Sequence, residues 1–460
     1  MNSQSKKMEL LGSASIPKAL LAMGIPTMIG MLVNAFYNLV DAYFVGGLGE
    51  SQMGAISVVY PLGQVVVGLG LLFGNGAASY ISRLLGRGDR ENADKVASTA
   101  LYSSVSVGAV IIIISMVFLH PVLKLLGATD SILPFAATYA RLYIVSCIFN
   151  VFNVTMNNIV TSEGAAKTTM CALLTGAVLN IALDPLFIYV FDLGVAGAAI
   201  ATAISQVVST SVYLTYILRK KSVFHFRMKD CTYTKEILSE IFKIGIPTLV
   251  FQILTSVSIS LINNAAGGYG DSAIAGMGVV TRLISMGSLS VFGFIKGFQP
   301  IAGYSYGAKK FDRLREAIKT SIFWSTVFCV VFGLVLALFP AAIVSRFIKG
   351  DTEMIRIGAA SLRANGFSIM LFGFYTVYSS LFLALGKGRE GFILGACRQG
   401  ICFIPVILLL PAVWGLNGIL YAQPIADVLS AIITVFMAIP LHRKLNKMQK
   451  QTAAISTNNN

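Results

Sequence analysis

Residues 24–46 read GIPTMIGMLVNAFYNLVDAYFVG, and the first nine of them, GIPTMIGML, return as GIPTLVFQI at 245–253. The two copies start 221 residues apart, and the offset holds well beyond them. GLGES at 47–51 recurs as GYGDS at 268–272, and the basic loop after Gly86 recurs after Gly307. Gly194 and Gly197 return as Gly415 and Gly418, while Arg141 and Gly164 match Arg363 and Gly386 at 222. A near-constant offset across a whole half marks a tandem duplication.

Each copy is too apolar to fold in water. The chain has 460 residues, of which 56% are hydrophobic and 12% charged, with a mean hydropathy of +0.77; soluble domains carry about 25% charge. A spanning helix needs about 20 mostly apolar residues, and such stretches recur throughout. Twelve spans are expected, at 16–46, 52–82, 96–120, 135–162, 169–191 and 196–218, then 241–267, 273–305, 317–340, 358–385, 391–412 and 418–441. The runs are too long and too continuously apolar for a β-barrel. The fold class is therefore all-α and polytopic, with six helices per half. Six is even, so both halves enter the bilayer from the same side as parallel repeats, with a cleft between them. The expected division is an N-terminal lobe at 1–220, a linker at 221–240, a C-terminal lobe at 241–445 and a disordered tail at 446–460. The first span lacks a small-residue cleavage site and reads as retained.

The net charge of +15 would raise nucleic-acid binding in a soluble chain. Here the basic residues cluster in 83–95, 219–235, 307–319 and the tail, while 46–51, 192–195, 268–272 and 413–417 have none. The positive-inside rule then places both termini and the linker in the cytoplasm, with the base also meeting anionic lipid. No nucleic-acid partner is expected. None of the six cysteines forms a CxxC pair, and the three histidines lie far apart at helix ends. A disulfide framework, a metal site or enzymatic chemistry is not expected, nor is a cofactor.

Charges within the spans are expensive and point to function. Asp41 and Asp184 stand out. At about 1.5 Å per residue, they lie roughly 8 and 10 Å from the outer ends of their helices. Asn180, Thr202 and Tyr139 share that layer. Asn34, Asn38 and Asp41 follow i, i+4, i+7 spacing on one helix face, and Asn150, Asn153 and Asn157 follow i, i+3, i+7. Such polar faces must point into the bundle or a wet cavity. Pro185 disrupts the bond to the Ile181 carbonyl and kinks the helix beside Asp184. The second-half positions matching Asp41, Asn180 and Asp184 are Ile262, Cys402 and Val406, so the acids are not an architectural feature of the repeat. Arg282 and Lys296 are deep enough to line the cleft or to pair with Asp427. Arg141, Arg363 and Arg398, near helix ends, are expected to snorkel. Phe292, Phe294, Phe298, Phe374 and Tyr375 are aromatic candidates for an organic-cation site, or for plain helix packing.

Three stretches carry a family resemblance: 24–46, LNIALDPLFIYVFDLGVAGAAIATAISQ at 179–206 and GFQPIAGYSYGAKK at 297–310. The chain resembles the MATE (multidrug and toxic compound extrusion) family, of the bacterial MepA-like branch. The resemblance implies alternating access in a bacterial cytoplasmic membrane. It implies export of lipophilic, often cationic, drug-like compounds against proton or sodium influx, by a monomer. Carried over by position, the cation-coupling residues are Asp41, Asp184, Asn180 and Thr202, with Tyr139 nearby. The substrate cleft would take Asn34, Asn38, Asn153, Asn157, Arg282 and Lys296. Two departures stand out. No acid lies on 245–267, where some branches have one, and Lys296 occupies a position that is often neutral and polar. A lipid or lipid-linked oligosaccharide flippase of the same superfold is the nearest alternative. An intramembrane aspartyl protease would want a GxGD motif in place of ALDP, and an ion channel would want a selectivity filter.

Overall fold

The computed structural model describes residues 3–48, 50–126, 128, 130–269, 271–347 and 352–458. Gly49 and Gly270 of the repeated pentapeptides, part of the 341–357 connection, and Asn459 and Asn460 of the tail lie outside them. Among the described residues there are no strands, and twelve helices are long and apolar enough to cross a membrane.

The first half comprises α1 (Ser3–Gly12), α2 (Ile16–Gly46), α3 (Glu50–Arg87), α4 (Arg90–Val117), α5 (Leu119–Leu125), α6 (Leu133–Ser162), α7 (Ala166–Pro185) and α8 (Gly194–Leu218). A wide π turn over Leu186–Val190 links the last two. The second half comprises α9 (Lys235–Gly267), α10 (Asp271–Gly307), α11 (Phe311–Leu338), α12 (Pro340–Phe347), α13 (Thr352–Ser368), α14 (Phe372–Ala384), α15 (Gly388–Ala396), α16 (Phe403–Trp414) and α17 (Leu416–Asn458). The helices α13 and α14 form one span, as do α15 and α16. Most spans overrun the expected bounds by a few residues at the basic end, where Lys and Arg favour helix and sit in water.

Two elements depart from expectation. The tail, expected to be disordered, is helical as far as it is described: α17 continues to Asn458. Its Lys, Met, Gln and Ala residues are good helix formers, and the tail is tied to α11 by Arg315 to Asn446 and Gln449 to Asp312. The polar N-terminus forms a helix of its own, α1. Lys7 donates to Glu163, Tyr216 and the Lys221 carbonyl, and Glu163 also accepts from Ser222 and Val223. From the other half, Lys310 and Arg313 donate to carbonyls of Gly12 and of Leu10, Leu11 and Ala14. The short helix thus bridges both halves, at the end that gathers the termini, the linker and the basic loops. Burial disfavours charge on both members of the Lys7–Glu163 pair. It lowers the pKa of Lys7 and raises that of Glu163, while their mutual attraction opposes both shifts.

The same end is where the halves close. Helix α2 packs on α10, and α3 packs on α9 and α10. The duplicated glycines explain how. A Cβ on Gly86 would stand 2.1 Å from the Tyr304 carbonyl oxygen, and one on Gly307 would stand 2.1 Å from that of Arg83. These equivalent positions let two backbones touch across the pseudo-twofold axis. Polar ties reinforce the seam: Thr27 Oγ1 donates to the Gly293 carbonyl at 2.6 Å, Asn75 to Thr248 at 2.9 Å, and Arg83 to Glu240 at 2.6 Å. Every one of these contacts involves the basic-end portions of α2, α3, α9 and α10. Gly164 and Gly386 match for a different reason: each turns the chain at positive φ, 89° and 76°, a conformation glycine adopts without penalty.

Candidate functional site

Two polar sites lie beyond these sealing contacts, one inside a lobe and one resting on the seam. The first lies inside the N-terminal half. Helix α2 presents Asp41, and α7 presents Asp184 one turn after Asn180. Pro185 has no N–H to donate, and the chain loosens immediately into the π turn, where Phe191 N donates to Leu186 O at 2.9 Å. Asp184 is fully buried. Its Oδ1 accepts from Asn180 Nδ2 at 3.3 Å. The Asp41 and Asp184 carboxyl groups stand within hydrogen-bonding range of one another. Among the described residues, Asp41 Oδ1, Asp184 Oδ2 and Asn180 Oδ1 are buried and have no donor. Buried polar atoms are normally satisfied, so three buried oxygens without donors, one on each of these neighbouring side chains, fit a shared proton or a small cation.

Tyr139 is buried, stacked on Tyr143 with ring centroids 5.4 Å apart, and within electrostatic reach of Asp41. Three of the five expected residues, Asp41, Asn180 and Asp184, therefore meet. Thr202 stands on α8, and among the described residues no hydrogen bond ties it to either acid. Sequence reasoning missed Tyr37, which lies within electrostatic reach of both carboxyl groups. Its signal was present: it precedes Asp41 by four residues, hence on the same face.

The second site is a cavity of about 510 Å³ between the halves, lined mostly by the second. Its walls include Phe251, Phe292 and Tyr375, and its floor, at the seam, holds Asn75, Asn158, Lys296 and Gln299. Lys296 donates across the halves to Asn157 Oδ1, and Asn157 donates to Tyr213 at 3.3 Å. Met31 lines the cavity, and the exposed Asn34 and Asn38 follow it on the same face of α2.

Several expectations need correction. Asn153 faces the interior of its own lobe, where it donates to Gln206 and accepts from Thr210; its fixed partners leave it no free polar group for the cleft. Arg282 is exposed and does not line the cavity, because its neighbours Thr281 and Ser285 turn inward instead. Arg398 does not snorkel. It is buried, its Nε donates to Asp427 Oδ1 at 2.8 Å, and its guanidinium lies 4.6 Å from the centre of the Phe372 ring. Asp427, also held by Ser368 and Gln423, thus pairs with Arg398 and not with Arg282 or Lys296.

Twelve spanning helices in two pseudo-symmetric lobes, sealed at one end around a central cleft, define a polytopic membrane protein of the transporter class. The chain belongs to the MatE family. The family model matches it twice, at residues 26–186 and 247–409, so each half is one copy of the family's unit. The chain is 32% identical to the multidrug export protein MepA of Staphylococcus saprophyticus over 433 residues, covering 94% of this chain and 95% of that one. Among solved structures, it resembles a MATE protein in complex with MaL6, with a TM-score of 0.91 at 26% identity over 97% of this chain and 99% of the other. It also resembles the outward-facing conformation of a multidrug resistance MATE transporter of the MOP superfamily, with a TM-score of 0.90 at 27% identity and the same coverage.

Proposed function

We propose that this protein exports lipophilic organic compounds across a bacterial cytoplasmic membrane by alternating access, in exchange for protons or sodium. The observation that carries the reading is the facing pair Asp41 and Asp184, with buried oxygens lacking donors, in one lobe of a cleft sealed at one end. The multidrug export function of the relatives supports the substrate side, and the basic residues at the sealed end support a cytoplasmic placement.

The two sites communicate through α2. It carries Asp41 in one half and, through Gly24 and Thr27, the seam to α10 in the other. Two facing carboxylates repel unless a proton or cation sits between them. Filling that position draws α2 toward α7, and emptying it lets α2 swing, so occupancy biases the seam. One elementary charge moving through 100 mV supplies about 2.3 kcal/mol, enough for more than tenfold accumulation.

The test is Asp41→Asn in proteoliposomes, reading substrate-induced proton movement and sodium dependence in separate arms. The variant should insert and melt like the parent but lose gradient-driven export. Undiminished export at equal expression would remove the acid pair from the mechanism.

A further inference from the structure

We propose that the cleft selects amphipathic organic molecules carrying an anionic group, with Lys296 as the counter-ion. This names the substrate class of the cleft and rests on the reading of that cavity as the substrate site. The inference starts from a charge inventory. Among the described residues lining the cavity there is no Asp or Glu, and the two charged residues are Lys296 and Arg398. Arg398 is neutralised by Asp427 at 2.8 Å. Among the described residues, Lys296 has no carboxylate within ion-pair distance.

An ammonium offers three donors. Lys296 spends one on the Asn157 oxygen, and no acceptor for the others is found among the described residues. A partly buried cation with unused donors at the floor of an apolar chamber is costly to leave unpaired. An anion reaching it exchanges that cost for a charge-assisted bond in a poorly screened site. A cation in the same place meets like charge and finds no carboxylate to compensate.

The rest of the chamber matches an amphipathic shape. Phe251, Phe292 and Tyr375 face an aromatic or aliphatic body, while Gln299 and Asn158 flank the ammonium with further polar groups. The volume, about 510 Å³, lies in the range of drug-sized pockets. The expectation of a mainly cationic substrate, drawn from resemblance, therefore meets a cavity whose charge has the opposite preference.

Two dansyl probes separate the alternatives, since they share a fluorophore and differ in charge: dansylglycine, an anion, and dansylethylenediamine, a cation. Fluorescence titration of the purified full-length protein in detergent gives the ratio of their dissociation constants. The expected result is at least about tenfold tighter binding of dansylglycine. Lys296→Gln should erase that preference and Lys296→Arg should keep it, both with the helical circular dichroism spectrum of the parent. Preferred binding of the cation by the parent protein overturns the proposal without recourse to any variant. So does an anion preference that survives Lys296→Gln. Loss of coupling reported by Asp41→Asn is a separate readout, so failure of the export reading and failure of anion selection are distinguishable.

Discussion

Replacing Gly307 by alanine adds one methyl group at the point where the two halves of the molecule touch. The new Cβ would lie 2.1 Å from the Arg83 carbonyl oxygen, against 3.4 Å or more for ordinary contact. The backbones of α3 and α10 must therefore part by about 1.3 Å, since a contact this close lies on the repulsive wall. Both partners are backbone, so no rotamer change relieves it. Overpacking of this kind costs about 1–3 kcal/mol. The higher helix propensity of alanine does not offset it, because Gly307 ends α10 in the sealed and the opened state alike. The sealed conformation should thus lose ground by roughly 5- to 150-fold relative to states in which the basic end is open. Spin labels at Arg90→Cys and Lys309→Cys, one on each half, would read the separation by double electron–electron resonance in a cysteine-free background. A longer-distance population should grow in Gly307→Ala, and likewise in Gly86→Ala. Gly278→Ala, where a Cβ meets nothing within 4 Å, should leave the distribution unchanged. If Gly307→Ala gave the parental distribution, the seam would not be what holds this end shut.

Two further outcomes follow from the buried pairs. Arg398→Met leaves Asp427 buried without its cation and should destabilise the protein by about 3–5 kcal/mol; adding Asp427→Leu should recover most of it, and thermal melts in detergent showing no recovery would refute the pairing. Burial raises the Glu163 pKa above its ordinary 4.5. The stabilisation linked to its proton is then complete below the unfolded value and is lost as pH rises through the folded one. Hydrogen exchange in α1 should accelerate with pH beyond the chemical rate in the parent and not in Glu163→Gln; parallel profiles would show that Glu163 does not anchor the helix through its proton.

The residues that could be read from sequence share one property: their meaning is local. Asp41 and Asp184 announced themselves because a carboxylate among twenty apolar residues is an exception visible without knowing the fold. Tyr37 did not, since a tyrosine in a span is unremarkable until its neighbour across the bundle is known. Asn153 and Asn157 looked alike on one helix stripe. One closes a knot inside its lobe, and the other receives Lys296 from the opposite half. Spacing gives which residues share a face, but not which neighbour that face meets. Arg398 shows the same limit from the other side. Its distance from a helix end implied snorkelling, but a break into a π turn at Cys397–Ile401 and an acid on α17 bring it inside.

Hydropathy, charge counting and the 221-residue repeat were enough to establish twelve spans, two parallel lobes and an asymmetric pair of acids, because spanning a bilayer constrains each segment by itself. Tertiary structure alone decided how each helix is rotated about its axis, because spans this apolar carry little amphipathic signal to orient them. That rotation settles which charges meet, where the halves seal and which cation the cleft leaves unpaired.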